Sequence, residues 1–139
     1  MKSHVLTRLA TAAMTATCLA LAGCGGSSSK STAPGVQPQI VNLPDDFSYQ
    51  VSSVSGYTGA FTYSWENTGI SANVNQATTV TSGGMTLTIT DAAGTQVYSH
   101  PLSDNGTFVT ADGVAGTWTI RVAYNGAGGT VNFRAQKKT

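Results

Sequence analysis

Charge is what this sequence has least of. Asp, Glu, Lys and Arg make up 9% of its 139 residues, against about 25% in an average soluble domain. That scarcity excludes a polyelectrolyte tail. Seven basic residues stand against six acidic ones, so no cationic excess exists to neutralise a phosphate backbone, the neutralisation that dominates nucleic-acid affinity. Nucleic acid is therefore not expected as a partner. Histidine and cysteine are almost as scarce, with His4, His100, Cys18 and Cys24 the full set. A zinc site built from several His and Cys ligands is excluded by that count. No G-x-S-x-G turn, H-E-x-x-H helix or phosphate-cradling G-x-x-x-x-G-K is present, and a Ser–His pair would have to rely on His100 alone. His100 precedes Pro101 and reads as a strand-end surface residue. The expectation is a protein that is not an enzyme.

At the N-terminus, Lys2 and Arg8 precede an uncharged stretch from Leu9 to Gly23. The pattern is that of a secretory signal peptide over residues 1–23. The stretch is shorter than the roughly 20 residues that a membrane-spanning helix requires. It ends in Leu21-Ala22-Gly23-Cys24, which resembles the lipobox of bacterial lipoproteins. The resemblance implies that the signal is cleaved before Cys24 and that its sulfur carries two acyl chains, often with a third on the new amino group. Two chains exceed the marginal affinity of one, so anchoring to the membrane would be stable. Position 25 is Gly rather than Asp, and the resemblance then favours the outer membrane where a host has two. Location in the bacterial cell envelope follows. Because Cys18 leaves with the signal, no disulfide can form inside the remaining chain.

Residues 25–39 read GGSSSKSTAPGVQPQ, a composition that cannot bury a core and behaves as a flexible tether. Cys24 and this linker thus occupy 24–39, and one domain occupies 40–139. The domain alternates with period two: Phe47, Tyr49 and Val51; Phe61, Tyr63 and Trp65; Ile70, Ala72 and Val74; Met85, Leu87 and Ile89; Trp118 to Tyr124; Val131, Phe133 and Ala135. Each set is a strand with one apolar face. Ser82-Gly83-Gly84, the run from Asp91 to Gly94, Asn105-Gly106, Asp112-Gly113 and Asn125-Gly126 read as turns. Short strands at this spacing predict an all-β fold, an antiparallel β-sandwich of seven or eight strands, jelly-roll-like in character; closure into a small barrel is the alternative.

Two stretches, TLTITDAAGTQVY and GVAGTWTIRVAYNGAGGTVNF, are similar to the β-sandwich accessory domains of secreted bacterial proteins, such as pre-peptidase C-terminal and CUB-like domains. That resemblance implies a non-catalytic module for adhesion, carbohydrate or protein contact, in some cases with bound calcium.

Most acids lie in turn dipeptides, where Asp bonds its own backbone; calcium, which takes six to eight oxygens, is possible if Asp104, Asn105 and Asp112 converge. No other cofactor is expected. Trp65, Tyr63 and Trp118 fall in phase with the core rather than with a sugar-stacking platform. Tyr57, between Gly56 and Gly59, reads as a turn residue outside any strand and as the best single contact. The expected partners are the membrane, through the lipid anchor, and an envelope protein or glycan. The alternative role is assembly, with sheet edges pairing to another chain.

Overall fold

A computed structural model describes residues 35–139. The signal sequence, Cys24 and most of the linker lie outside the described residues. The described chain is all-β, with seven strands: β1 (Gln39–Leu43), β2 (Asp46–Asn67), β3 (Ala72–Gln76), β4 (Thr79–Thr90), β5 (Gln96–Pro101), β6 (Gly106–Val109) and β7 (Gly116–Lys137). All pairings are antiparallel.

β2 and β7 are 22 residues each and pair from Asp46 opposite Gln136 to Asn67 opposite Gly116. β3 and β4 lie in line along the other side of β7, from Ala72 opposite Lys137 to Thr90 opposite Thr119. Three long ribbons therefore form the spine. β1 adds to β2 and β6 to β3 at one end, while β5 adds to β4 at the other.

Held straight, a strand of that length would run roughly 70 Å at about 3.3 Å per residue. The spine folds over instead. All three ribbons slip register at one level: β2 between Val51 and Gly59, and β4 between Val80 and Gly84, both against the 124–129 stretch of β7. Two glycines make this possible. Gly83 has φ of 61° and lies so close to the carbonyls of Asn125 and Gly126 that a Cβ would collide with them. Gly129 has φ of 134° and lies equally close to the Thr79 carbonyl. Such a backbone suits only a residue without a Cβ. The bend brings rings from either side of it together, with Phe47 5.7 Å and Tyr49 5.9 Å from Tyr63. The result is a β-sandwich whose two layers belong to one continuous sheet. It does not close into a barrel, because β1 and β6 border one layer while β5 and the second half of β2 border the other.

The predicted alternation holds along the strands: Phe47, Tyr49, Phe61, Leu87, Ile89, Ile120, Val122 and Phe133 are all buried. Trp65 and Trp118 meet edge to face at 5.9 Å, and each indole N–H donates to a carbonyl, of Leu43 and Val114 respectively. Three sequence expectations need correction. Ser82-Gly83-Gly84 and Asn125-Gly126 are not turns but bulges, so the runs on either side of them belong to single strands. Ile70 precedes β3 and is 56% exposed. Val36, from the stretch assigned to the linker, is buried in the core; it is the one large apolar side chain there, and burying a Val is worth about 1.5–3 kcal/mol.

The fold has two distinct ends. The bend end carries the bulges, the start of β1 and the 102–105 corner. The loop end carries the β1–β2 turn, the 68–71 connection, the 91–95 hairpin and the 110–115 segment.

Candidate functional site

Two loop-end acids, Asp91 and Asp45, are committed to holding the fold together. Asp91 is buried; its Oδ1 accepts from the amides of Ala93 (3.0 Å) and Thr95 (2.7 Å), and its Oδ2 from Val114 N–H (2.8 Å). These bonds, led by that from Val114, hold the carboxyl below its ordinary range. They staple the β4–β5 hairpin to the segment before β7.

Asp45, at φ of 65° in the β1–β2 turn, accepts from Lys137 Nζ (2.8 Å), Thr68 N–H (2.7 Å) and Thr68 Oγ1 (2.9 Å). Lys137 Nζ also donates to Thr68 Oγ1 at 3.0 Å. A hydroxyl between a carboxylate and an amine has the parts of a nucleophile and its base. The electrostatics argue against that chemistry: the Lys137 and Thr68 bonds hold Asp45 below its ordinary pKa, which makes it a weak base, and the ion pair occupies the amine. The cluster ties the end of β7 to the β1–β2 turn.

The sequence-predicted contact residues do not converge. Tyr57 sits inside β2 rather than in a turn, because Gly56 and Gly59 shape a bulge through which the strand continues. It is half-buried, stacked on Phe61 at 5.7 Å and edge-on to Tyr124 at 5.3 Å. Asp104 and Asn105 are also at the bend end, but β7 and β4 separate the edge they occupy from Tyr57. Asn105 Oδ1 accepts from Thr78 N–H at 2.7 Å, and the Asp104 carbonyl accepts from Gln76 Nε2 at 2.7 Å. Asp112 is exposed at the opposite end, beside Gly113, whose N–H donates to the Ile70 carbonyl. Among the described residues no group of three or more His, Cys, Asp or Glu comes together to hold a metal ion. Cys24 lies outside the described residues.

Two features were not legible in the sequence. His100 is only partly exposed, tilted against Tyr98 and stacked on Phe108, 4.8 Å from each ring, with Nδ1 3.9 Å from the Asp104 carboxylate; nothing in the sequence pattern brings β5 and β6 together. Inside the sandwich, the hydroxyls of Tyr49 and Tyr124 are 2.7 Å apart, and the buried Tyr63 hydroxyl has no partner. Burial above all raises the pKa of Tyr49, and raises Tyr63 and Tyr124 to about 12.

The outer faces carry small polar groups. One layer shows Ser48, Arg134, Asn75 and Thr107 in register, with Arg134 donating from Nε and Nη2 to Asp46 at 2.8 and 2.6 Å. The other shows Thr62, Arg121, Thr88 and Ser99. Neither row carries an aromatic ring, and Trp65 and Trp118 are 1% and 0% exposed, so the tryptophans offer no stacking platform for a sugar.

No family model and no curated protein matches the chain. Among solved structures, it shows a likeness to a glycoside hydrolase family 43 arabinoxylan arabinofuranohydrolase from Bacillus subtilis, in complex with cellotetraose. The identity is 20% and the TM-score 0.27, over 78% of this chain and 24% of that one. The chain spans about a quarter of that protein, and so slight a likeness has no bearing on function.

Proposed function

We propose that this protein is a lipid-tethered, non-catalytic recognition domain of the bacterial envelope. Cys24 carries the acyl anchor, the linker holds the sandwich off the membrane, and the loop end meets a protein partner. One observation carries this orientation. The chain enters β1 at Gln39, opposite Gln50 and next to the bend, so the loop end points away from the tether, about one strand length farther out. Loops held rigidly by a sandwich are where recognition commonly resides. Here they expose Ile70 and Val114, 56% and 53% accessible, in loops joined by the bond from Gly113 to the Ile70 carbonyl. Aliphatic rather than aromatic exposure favours a protein over a glycan.

The test has two arms. Labelled palmitate should enter the wild-type chain and not Cys24→Ala, which should also leave the detergent phase. Photo-crosslinkers at Ile70 and Val114 should give one discrete adduct with a different envelope protein, lost on Val114→Asp, while a crosslinker at Tyr57 gives no adduct with that protein. Label on Cys24→Ala refutes the anchor; a discrete adduct only from Tyr57, or a glycan adduct at the loops, refutes the assignment of partner and surface.

A further inference from the structure

Beyond the bend, the outer edge of β2 is a sheet edge without the usual protection. β1 covers this side of β2 only from Asp46 to Gln50. Farther along, Asn42 Nδ2 donates to the Ser64 carbonyl at 2.8 Å, and Asp45 N–H to the Glu66 carbonyl at 2.8 Å. Both contacts arrive from the side away from β7, so in this stretch the even-numbered residues aim their N–H and C=O outward. Pairing with β7 runs without slippage from Gly59 to Asn67, which gives Ala60 and Thr62 the same orientation. Among the described residues, no strand pairs with β2 on this side beside them. Unpaired edges of this kind are usually blunted by charge, proline or brevity. From Phe47 to Trp65 there is neither a charged residue nor a proline. The other borders differ: β1, β5 and β6 have five, six and four residues, and β5 ends in Pro101.

We propose that the Ala60–Thr62 edge of β2 pairs antiparallel with the same edge of a second copy of this chain. Complementarity in charge and shape is what favours a second copy. Antiparallel pairing of an edge with itself is two-fold symmetric, so each residue must tolerate itself or a near neighbour opposite. Ala60, Thr62 and Ser64 are exposed, small and uncharged, and they meet that condition without like-charge repulsion. Asn42 and Asp45 close the edge at Ser64 and Glu66, confining the added strand to the stretch around Ala60 and Thr62. The dimer joins the layer formed by β2, β7, β4 and β5 to its copy as one continuous sheet. It does not depend on the loop-end partner or on the lipid anchor.

Cysteine scanning in the full chain, expressed in its host, tests the pairing. Opposed Cα atoms in an antiparallel pair are about 4.5–5.5 Å apart, within the roughly 4.4–6.8 Å that a disulfide spans. The double variant Ala60→Cys/Thr62→Cys, which sets thiol opposite thiol whether the two-fold axis passes through residue 60, 61 or 62, should give disulfide-linked dimers, and Thr117→Cys, exposed on the outer face of β7, should not. Wild-type chain on the same gel reports any pairing through Cys24, which separates failure of the anchor from failure of this proposal. Thr62→Pro supplies the second measurement. Its lost N–H points outward, where proline is tolerated. In sedimentation of the detergent-solubilised chain, dimer affinity should fall roughly tenfold to a hundredfold, with circular dichroism and melting temperature unchanged. Ala60→Lys, which puts an ammonium group on each strand within two to four residues of its copy across the seam, should give the same loss should the proline disturb folding. Equal crosslinking at Thr117→Cys, a monomer at every concentration, or a dimer indifferent to both substitutions overturns the proposal. So does hydrogen-exchange protection of the edge amides in the dilute monomer, which would mean that the chain's own N-terminal segment covers the edge.

Discussion

The hydroxyl contact between Tyr49 and Tyr124 predicts a specific failure of additivity. The two oxygens are buried and 2.7 Å apart, joining the layers across the bend. Tyr49→Phe or Tyr124→Phe removes one oxygen and leaves the other buried without a partner, at a cost of about 1–3 kcal/mol. Removing both eliminates the stranded group, so the double variant should be more stable than the two single losses together imply, by about 1–2 kcal/mol. Tyr63 should make the pair asymmetric. Its buried hydroxyl has no partner and its ring is 5.9 Å from that of Tyr49, so after Tyr124→Phe the Tyr49 hydroxyl has somewhere to turn. Tyr49→Phe should therefore cost more than Tyr124→Phe. Urea unfolding followed by the fluorescence of Trp65 and Trp118 measures all four proteins. Losses that add to within about 0.3–0.5 kcal/mol would mean that the contact contributes nothing as a pair, and equal single losses would show that Tyr63 gives the stranded hydroxyl no relief.

Both pH limits of stability should be traceable to named groups. Burial raises Tyr63 and Tyr124 from the ordinary value of 10 to about 12, so the unfolded chain ionises first as pH rises. Stability should be complete below pH 10 and decline as pH climbs through about 12, with phenolate absorbance and loss of β-sheet circular dichroism rising together; phenolate forming near pH 10 in a still-native protein would contradict this. On the acid side, Asp91 is held below its ordinary range by amide donors. Its contribution is present above the ordinary carboxylate pKa and disappears as pH falls through the lowered value. Asp91→Asn should lower the melting temperature at neutral pH and flatten its decline in acid; an unchanged acid limb would show that the carboxylate is not what holds the hairpin to the 110–115 segment.

The legible part of the fold and the missed part have one physical origin. Period-two alternation reports which side of a strand is wet, and that property is local. Met85, Leu87 and Ile89, or Trp118, Ile120 and Val122, therefore declare their inward faces from sequence alone, and all are buried. Where a strand ends is a different matter, because glycine relaxes the backbone equally for a turn and for a bulge. Asn125-Gly126 and Ser82-Gly83-Gly84 could do either. What decides is whether another chain segment lies alongside to keep the ladder going, and β2 and β4 do so across β7 at that level. Those pairings join residues far apart in the sequence. Tyr57 is misread for the same reason: flanked by glycines it reads as a loop tip, yet with β7 beside it the same glycines bend a strand and tuck its ring against Phe61 and Tyr124. The candidate metal residues fail to converge on similar grounds. Asp104, Asn105 and Asp112 are near in sequence, but β6 runs between them from the bend end to the loop end, so one strand of four residues is enough to set them apart. The unblocked β2 edge was hidden in turn, because reading a loop at Gly56 divides β2 into two short strands, and only the continuous strand exposes a long, uncharged border.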